Sequence, residues 1–184
     1  AKCGANAVKF QSFDANVFMT KGEHFYTYKT QKGIRKENMY KMFKRLEVPK
    51  SWYKKLFAIS KKYKVDFLSS AADISAANML NKMKVKAIKV ASCDLINYPL
   101  LNHVAELGRE TILSTGMANL EEVDAAVSIF KGKKTKFTLL HCVSVYPTPN
   151  KEANLSRMIT LAKRYKVDVG FSDHTLGTEA CTAA

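Results

Sequence analysis

Lys136 to Asn150 reads KFTLLHCVSVYPTPN, and further along Val167 to Gly177 reads VDVGFSDHTLG. In each, a short apolar run ends abruptly in side chains able to bind metals, phosphates or hydroxyls, and a loop follows at once. A buried parallel strand delivers chemistry to one face of a sheet in this way.

Working outward, the same design recurs in Ala7 to Phe13 (AVKFQSF), Val65 to Ser70 (VDFLSS), Lys86 to Ser92 (KAIKVAS) and Thr111 to Gly116 (TILSTG). Helical periodicity separates these runs. It predicts helices over Arg35 to Leu46, Trp52 to Lys62 with Ser51 as N-cap, and Ile74 to Met83. It predicts others over Tyr98 to Leu107 ending at Gly108, Leu120 to Phe130 capped by Asn119, Leu155 to Tyr165 capped by Asn154, and the start of one from Leu176 to Ala184. Ala1 to Asn6 reads as a last helical turn stopped by Gly4. Asp14 to Gly33 reads as a long loop rich in aromatics, Phe18, Phe25, Tyr26 and Tyr28, and a loop of that length suggests either a functional excursion or ordinary packing over the barrel rim. About six strands alternate with helices, the pattern of repeated βα units around a parallel sheet. No GxGxxG or P-loop follows any strand, which counts against a nucleotide-binding open sheet. A (β/α)₈ TIM barrel explains why every strand ends in polar residues, because all strand C-termini converge on one mouth.

The composition agrees with one globular domain: 184 residues, 47% hydrophobic and 25% charged. No apolar run approaches the roughly 18 residues of a membrane span, so a cytoplasmic location is expected. Cys3, Cys93, Cys142 and Cys181 have neither disulfide nor zinc spacing and read as reduced thiols. The net charge of +14 admits a nucleic-acid reading, with Lys29 to Arg45 and Lys131 to Lys136 as contacts. The plainer reading is the solvated face of amphipathic helices, since the lysines of Lys36 to Lys64 interleave with apolar residues at helical spacing. The chain starts without Met and stops within a helical pattern, so a fragment is expected.

The strand ends collect Lys9 and Gln11, Ser69 and Ser70, Lys89, Ser92 and Asp94, Ser114 and Thr115, His141 and Ser144, and Ser172, Asp173 and His174 at the mouth. Lysine is costly to bury inside a parallel strand unless it meets an anion, so Lys9 and Lys89 among hydroxyls point to a phosphate or carboxylate site. Snorkelling, or pairing with Asp94 or Asp173, is the structural alternative. His141 and His174 are candidates for a divalent metal or for acid–base work, with Asp173 available to orient His174, and His141 reads equally well as a satisfied core histidine. Alternation along the strand points Cys142 away from His141, as a packing thiol.

The motifs VKFQSF, FLSS, KVASCDLINYPLL, ILSTGMANLEE, LLHCVSVYPTPNKEANL and VGFSDHTLG, in order over nearly the whole chain, resemble the N-acetylneuraminate (sialic acid) synthase family, with its legionaminate and pseudaminate synthase relatives. The resemblance implies a (β/α)₈ barrel, here 1–184 as one domain lacking the first and last strands and a C-terminal antifreeze-like domain. It implies condensation of phosphoenolpyruvate with an open-chain N-acyl amino-hexose such as N-acetylmannosamine. The products are a nine-carbon 2-keto sugar acid and phosphate, the cofactor is Mn2+ or Mg2+, and the full-length protein is a homodimer.

Carried over by motif, Lys9, Ser70, Lys89, Ser92, Ser114, Ser144 and Ser172 fall at phosphoenolpyruvate-binding positions. Gln11, Asp94 and Tyr146 fall at sugar contacts and His174 at a metal position, whereas His141 has no metal role. The family's catalytic glutamate and second metal histidine would lie outside Ala1 to Ala184, so the fragment itself is expected to be inactive. Ser70-Ala71-Ala72 stands where the family has Thr-Pro-Phe, and Ser92-Cys93-Asp94 where it often has Ser-Gly-Asp, which opens the mouth near the sugar. Other phosphoenolpyruvate-condensing synthases are the nearest alternative; they use phosphorylated sugars and would need a second basic cluster at the mouth.

Overall fold

A computed structural model describes residues 3–30 and 33–184. Six parallel strands, β1 (Ala7–Ser12), β4 (Asp66–Ala71), β5 (Ala87–Val90), β6 (Glu110–Ser114), β7 (Phe137–Cys142) and β8 (Val169–Ser172), pair in that order. They form a half-barrel in which each strand neighbours the next in the sheet and helices cross between them, the arrangement of successive βα units. The crossovers carry α3 (Trp52–Lys62), α4 (Ile74–Lys82), α5 (Tyr98–Glu106), α6 (Leu120–Gly132) and α7 (Ser156–Tyr165), and α8 (Glu179–Ala183) follows β8. No helix among the described residues is long and apolar enough to cross a membrane.

The segment between β1 and α3 departs from expectation. Residues 14–33 contain α1 (Ala15–Phe18), capped by Asp14, and β2 (Phe25–Thr30), which pairs antiparallel with β3 (Gly33–Asn38) as a hairpin. The helix expected from Arg35 starts only at Met39, as α2 (Met39–Leu46), with the Asn38 side chain accepting from Lys41 N. Strand pairing of Arg35 to Glu37 with Tyr28 to Tyr26 overrides the helical spacing. Residues 3–6 form a turn rather than a helix end, and Ala1 and Lys2 lie outside the described residues, as do Gln31 and Lys32. Ser51 and Asn154 supply no N-cap bond: Ser51 has helical backbone angles, and Asn154 Oδ1 accepts instead from the Ser156 hydroxyl.

The turns that return each helix to the sheet share one device. Lys64, Lys84, Gly108, Lys134 and Lys166 all have left-handed backbone angles, at φ 54°, 56°, 66°, 55° and 54°. Each stands after a helix, where such a residue stops the helix and lets its last carbonyls be satisfied. Four of the five are lysine, whose charge also complements the negative helix end.

Burial separates the two faces of the sheet. Phe67, Ile88, Val90, Leu113 and Leu139 point outward into the helix layer and form the core with Leu80, Leu101, Val104, Phe130 and Leu161. Residues of the opposite parity, in register across the strands, line the concave lumen. Gln11, Ser70, Lys89, Ile112 and Thr138 make one row across it, and Ser114, Leu140 and Gly170 another.

Several of the surface cations are engaged locally. Arg35 and Arg45 pair with Glu37, Lys44 with Glu47, Lys133 with Glu106 and Lys136 with Glu110. Lys36 lies over the Phe25 ring and Lys131 donates to the Tyr165 carbonyl.

Candidate active site

Lys89 is the centre of the lumen face. β5 carries it inward between Ile88 and Val90, which go to the core, and its side chain is only 7% exposed. Its ammonium donates to Ser114 Oγ at 2.5 Å and to the Val90 carbonyl at 3.0 Å. Burial, and then the nearby Lys9 charge, lower its pKa to about 8. Lys9, on the edge strand β1, is likewise lowered by burial although much of its side chain remains exposed. The ion pairs among the described residues include neither lysine, so the alternative of a pairing with Asp94 or Asp173 is not what is found. A buried lysine that a neighbouring lysine depresses further, and whose hydrogen-bond partners are a neutral hydroxyl and a carbonyl, forms a site that an anion would stabilise.

Above this pair, the loops after β5, β6 and β7 converge. Ser92 Oγ accepts from Gly116 N at 3.1 Å and lies 3.7 Å from Cys142 Sγ. A Cβ on Gly116 would stand 2.7 Å from the Cys142 carbonyl oxygen and 2.9 Å from Ser144 Oγ, so only glycine lets the β6 loop close here. Cys142 Sγ is 4.0 Å from Ser144 Oγ and 3.8 Å from His174 Nδ1. Ser172 is paired in register with Cys142 on the neighbouring strand.

His174 donates its Nδ1 proton to the Val143 carbonyl at 2.7 Å, which leaves Nε2 as the lone-pair nitrogen. Its ring lies 4.1 Å from that of Tyr146. The loop holding Tyr146 contains a cis Tyr146–Pro147 bond and is tied to the β8 loop by Thr148 N donating to the His174 carbonyl at 2.8 Å. Asp173 does not orient His174. Its carboxylate accepts from Thr175 N, the Thr175 hydroxyl and the Cys181 thiol, and those bonds hold its pKa low.

Of the residues singled out from sequence, Lys9, Gln11, Ser70, Lys89, Ser92, Ser114, Ser144, Ser172, Tyr146 and His174 gather at the lumen face or its mouth. Asp94 sits at the rim after β5. It is 8% exposed, its carboxylate accepts from the Cys93 thiol at 3.7 Å, and burial raises its pKa to about 6. Ser69 and His141 turn the other way. Ser69 bonds Ser12 in the helix layer, and His141 Nε2 donates to the Ala153 carbonyl at 2.7 Å while its ring stacks on Phe171.

The alternation of His141 and Cys142 is therefore as expected, but the faces are reversed. Cys142 belongs to the site and is no outer packing thiol. The signal was available in the sequence: Cys142 shares parity with Ser144, already placed at the mouth. Gly116 and Thr148, which hold the loops together, were not singled out from sequence.

For a divalent metal the donors are incomplete. His174 offers one imidazole with its tautomer fixed, but no group of three His, Cys, Asp or Glu side chains suited to an ion forms among the described residues. These residues fit one corner of a metal site.

The comparisons with known proteins agree with one another. An uncharacterized protein of Methanocaldococcus jannaschii is 40% identical over 177 residues, covering 96% of this chain and 48% of its own length. An N,N'-diacetyllegionaminic acid synthase of Campylobacter jejuni is 38% identical over 188 residues, covering 100% of this chain and 56% of its own. The crystal structure of an N-acetylneuraminic acid (sialic acid) synthetase from Leptospira borgpetersenii superposes with a TM-score of 0.86 at 36% identity, over 97% of this chain and 57% of that one. The chain thus spans about half the length of the relatives it matches. The model of the NeuB family matches residues 1–184, end to end, and the chain belongs to that family.

Proposed function

We propose that the chain is the substrate-binding part of a cytoplasmic synthase that condenses phosphoenolpyruvate with an open-chain N-acyl amino-hexose, giving a nine-carbon 2-keto sugar acid and phosphate. In this reading residues 1–184 are most of one (β/α)₈ barrel, and the whole protein is a homodimer. The observation that carries it is the buried Lys89 ammonium beside Lys9, held by Ser114 and the Val90 carbonyl without a carboxylate partner. A site of this kind suits a small, multiply charged anion.

The chemistry divides among the residues as follows. Lys9 and Lys89, with the hydroxyls of Ser70, Ser92, Ser114, Ser144 and Ser172, hold the phosphate and carboxylate of phosphoenolpyruvate and offset their charge. C3 of phosphoenolpyruvate forms a bond to the sugar aldehyde carbon, water adds at C2 as positive charge develops there, and the C2–O bond to phosphate breaks to leave the ketone. Gln11, Asp94 and Tyr146 line the sugar's path and fix its aldehyde against C3. A divalent ion, Mn2+ or Mg2+, bound partly through His174 Nε2, would supply Lewis-acid polarisation of that aldehyde. In the neutral imidazole, the Nδ1–H bond to the Val143 carbonyl places the lone pair on Nε2.

The test is a phosphate-release assay on the complete protein. Release should require phosphoenolpyruvate, an N-acyl amino-hexose and a divalent metal together. Release that ignores the sugar, or continues in chelator, overturns the proposal.

A further inference from the structure

On the helix side of the sheet, apart from the Lys89 cluster, a cavity of about 350 Å³ lies between α6 and α7. That is the lower end of the roughly 300–1,000 Å³ of small-molecule sites. The outer end of β7 lines it through His141, which is 2% exposed. His141 Nε2 donates to the Ala153 carbonyl, and Nδ1 has no hydrogen-bond partner among the described residues. No side-chain nitrogen sealed among those residues lacks a partner, so it is the cavity that Nδ1 opens to. Arg157, in the first turn of α7, lines the same space. Arg35, Arg45 and Arg164 pair with carboxylates and Arg109 with Asn81, whereas Arg157 has no such partner among the described residues.

The other polar groups of the lining are already committed. The Thr115 hydroxyl donates to the Leu140 carbonyl at 3.1 Å, the Thr160 hydroxyl to the Ser156 carbonyl at 3.5 Å, and Asn119 Oδ1 accepts from Glu122 N. Cys142 turns its thiol to Ser92, Ser144 and His174 in the lumen. Leu120, Val123 and Leu161 supply an apolar wall.

A buried lone pair and an unpaired guanidinium beside an apolar wall restrict what can fill the space. In the neutral ring Nδ1 is an acceptor, so the ligand must bring an O–H or N–H. The guanidinium fork suits a carboxylate, and one cation balances one negative charge rather than the two of a phosphate ester. An ammonium would add a second cation beside Arg157, and no described lining residue is acidic. Asp124, one turn along α6 from Leu120, is already held by Arg164. We infer that the cavity between α6 and α7 is a second ligand site, for a small hydroxy monocarboxylic acid with an apolar body. Arg157 holds the carboxylate, His141 Nδ1 accepts from the hydroxyl, and the body packs on Leu120, Val123 and Leu161.

The experiment is calorimetric titration of the complete protein with phenyllactate as the probe, beside phenylpropionate, which lacks the hydroxyl, and phenylalanine, which carries an ammonium in its place. Phenyllactate should bind, and each of the others should bind roughly tenfold or more weakly, the loss expected when a buried acceptor is left unpaired or a cation is brought beside another. Arg157→Leu, an exposed change on α7, should weaken phenyllactate roughly tenfold or more and leave phosphoenolpyruvate affinity within about twofold, because the two sites share no partner. The comparison among the three acids needs no variant, so it stands if Arg157→Leu fails to fold. No phenyllactate binding up to about 10 mM overturns the inference. So does equal affinity for the three acids. Phenyllactate binding that Arg157→Leu leaves intact, or that phosphoenolpyruvate displaces, places the acid elsewhere and overturns it as well.

Discussion

The two faces of the one sheet use similar polar side chains for opposite ends. On the helix side, Tyr53 donates to Ser12 Oγ at 2.7 Å, and Ser12 and Ser69 bond at 2.7 Å. Each of these groups is closed within the protein. On the lumen side, Lys89 leans on a neutral hydroxyl and a carbonyl beside a second lysine, and Asp94 meets only a thiol. The difference teaches that polarity inside a barrel does not mark a site. Unbalanced charge does: this outer network is satisfied as it stands, and the inner face is completed by a ligand.

The largest effect that should separate the faces comes from Phe67→Ala. Phe67 is 3% exposed, stacks on Phe10 at 5.2 Å and meets Tyr53 and Phe57 edge-on. Removing a buried ring of this kind costs about 3–5 kcal/mol, so denaturant unfolding of the complete protein should show a loss in that range. A loss below about 1 kcal/mol would mean that the helix face is not the core that its burial indicates.

Lys89→Met should do the reverse. It keeps the volume and removes the charge, so phosphoenolpyruvate affinity should fall by about 2–3 kcal/mol, the scale of hydrogen bonds to charged groups. Because the folded pKa of Lys89, about 8, lies below its ordinary value of 10.5, the charged form is disfavoured by folding. The unfolded chain binds more protons between those values. Stability contributed at this position therefore rises with pH from about 8 to 10.5, whereas anion binding is lost over the same rise. Calorimetric titration with phosphoenolpyruvate at pH 7 and 9 should show wild-type affinity dropping and the Met variant little changed. Equal pH dependence in both would take Lys89 out of the anion site.

How far these faces were legible from sequence follows from the same parity. Lys9, Gln11 and Lys89 announce themselves because lysine and glutamine in an apolar run have few structural uses, and Ser114 and Ser172 follow from their place at strand ends. Cys142 is harder to place, because the histidine beside it competes for the lumen face and only its parity with Ser144 separates the two. The β2–β3 hairpin was hidden for a different reason: Arg35, Lys36 and Glu37 favour helix locally, and only their pairing with Tyr26 to Tyr28 makes them a strand. The left-handed turns at Lys64, Lys84, Lys134 and Lys166 gave no sign either, since glycine or asparagine is the usual signal and only Gly108 supplies it.

The smallest effect should come from Tyr53→Phe, which isolates one hydrogen bond on the helix face. The ring keeps its edge contact with Phe67 and loses only the hydroxyl that donates to Ser12. Ser12 and Ser69 remain bonded to each other, so no buried acceptor is abandoned and the cost should stay near 1 kcal/mol. Phosphoenolpyruvate affinity should not change, because Ser12 faces away from Gln11 and Lys9 on the same strand. If the variant weakens ligand binding more than it weakens the fold, the helix-side network supports the lumen, and the two faces are coupled rather than separate.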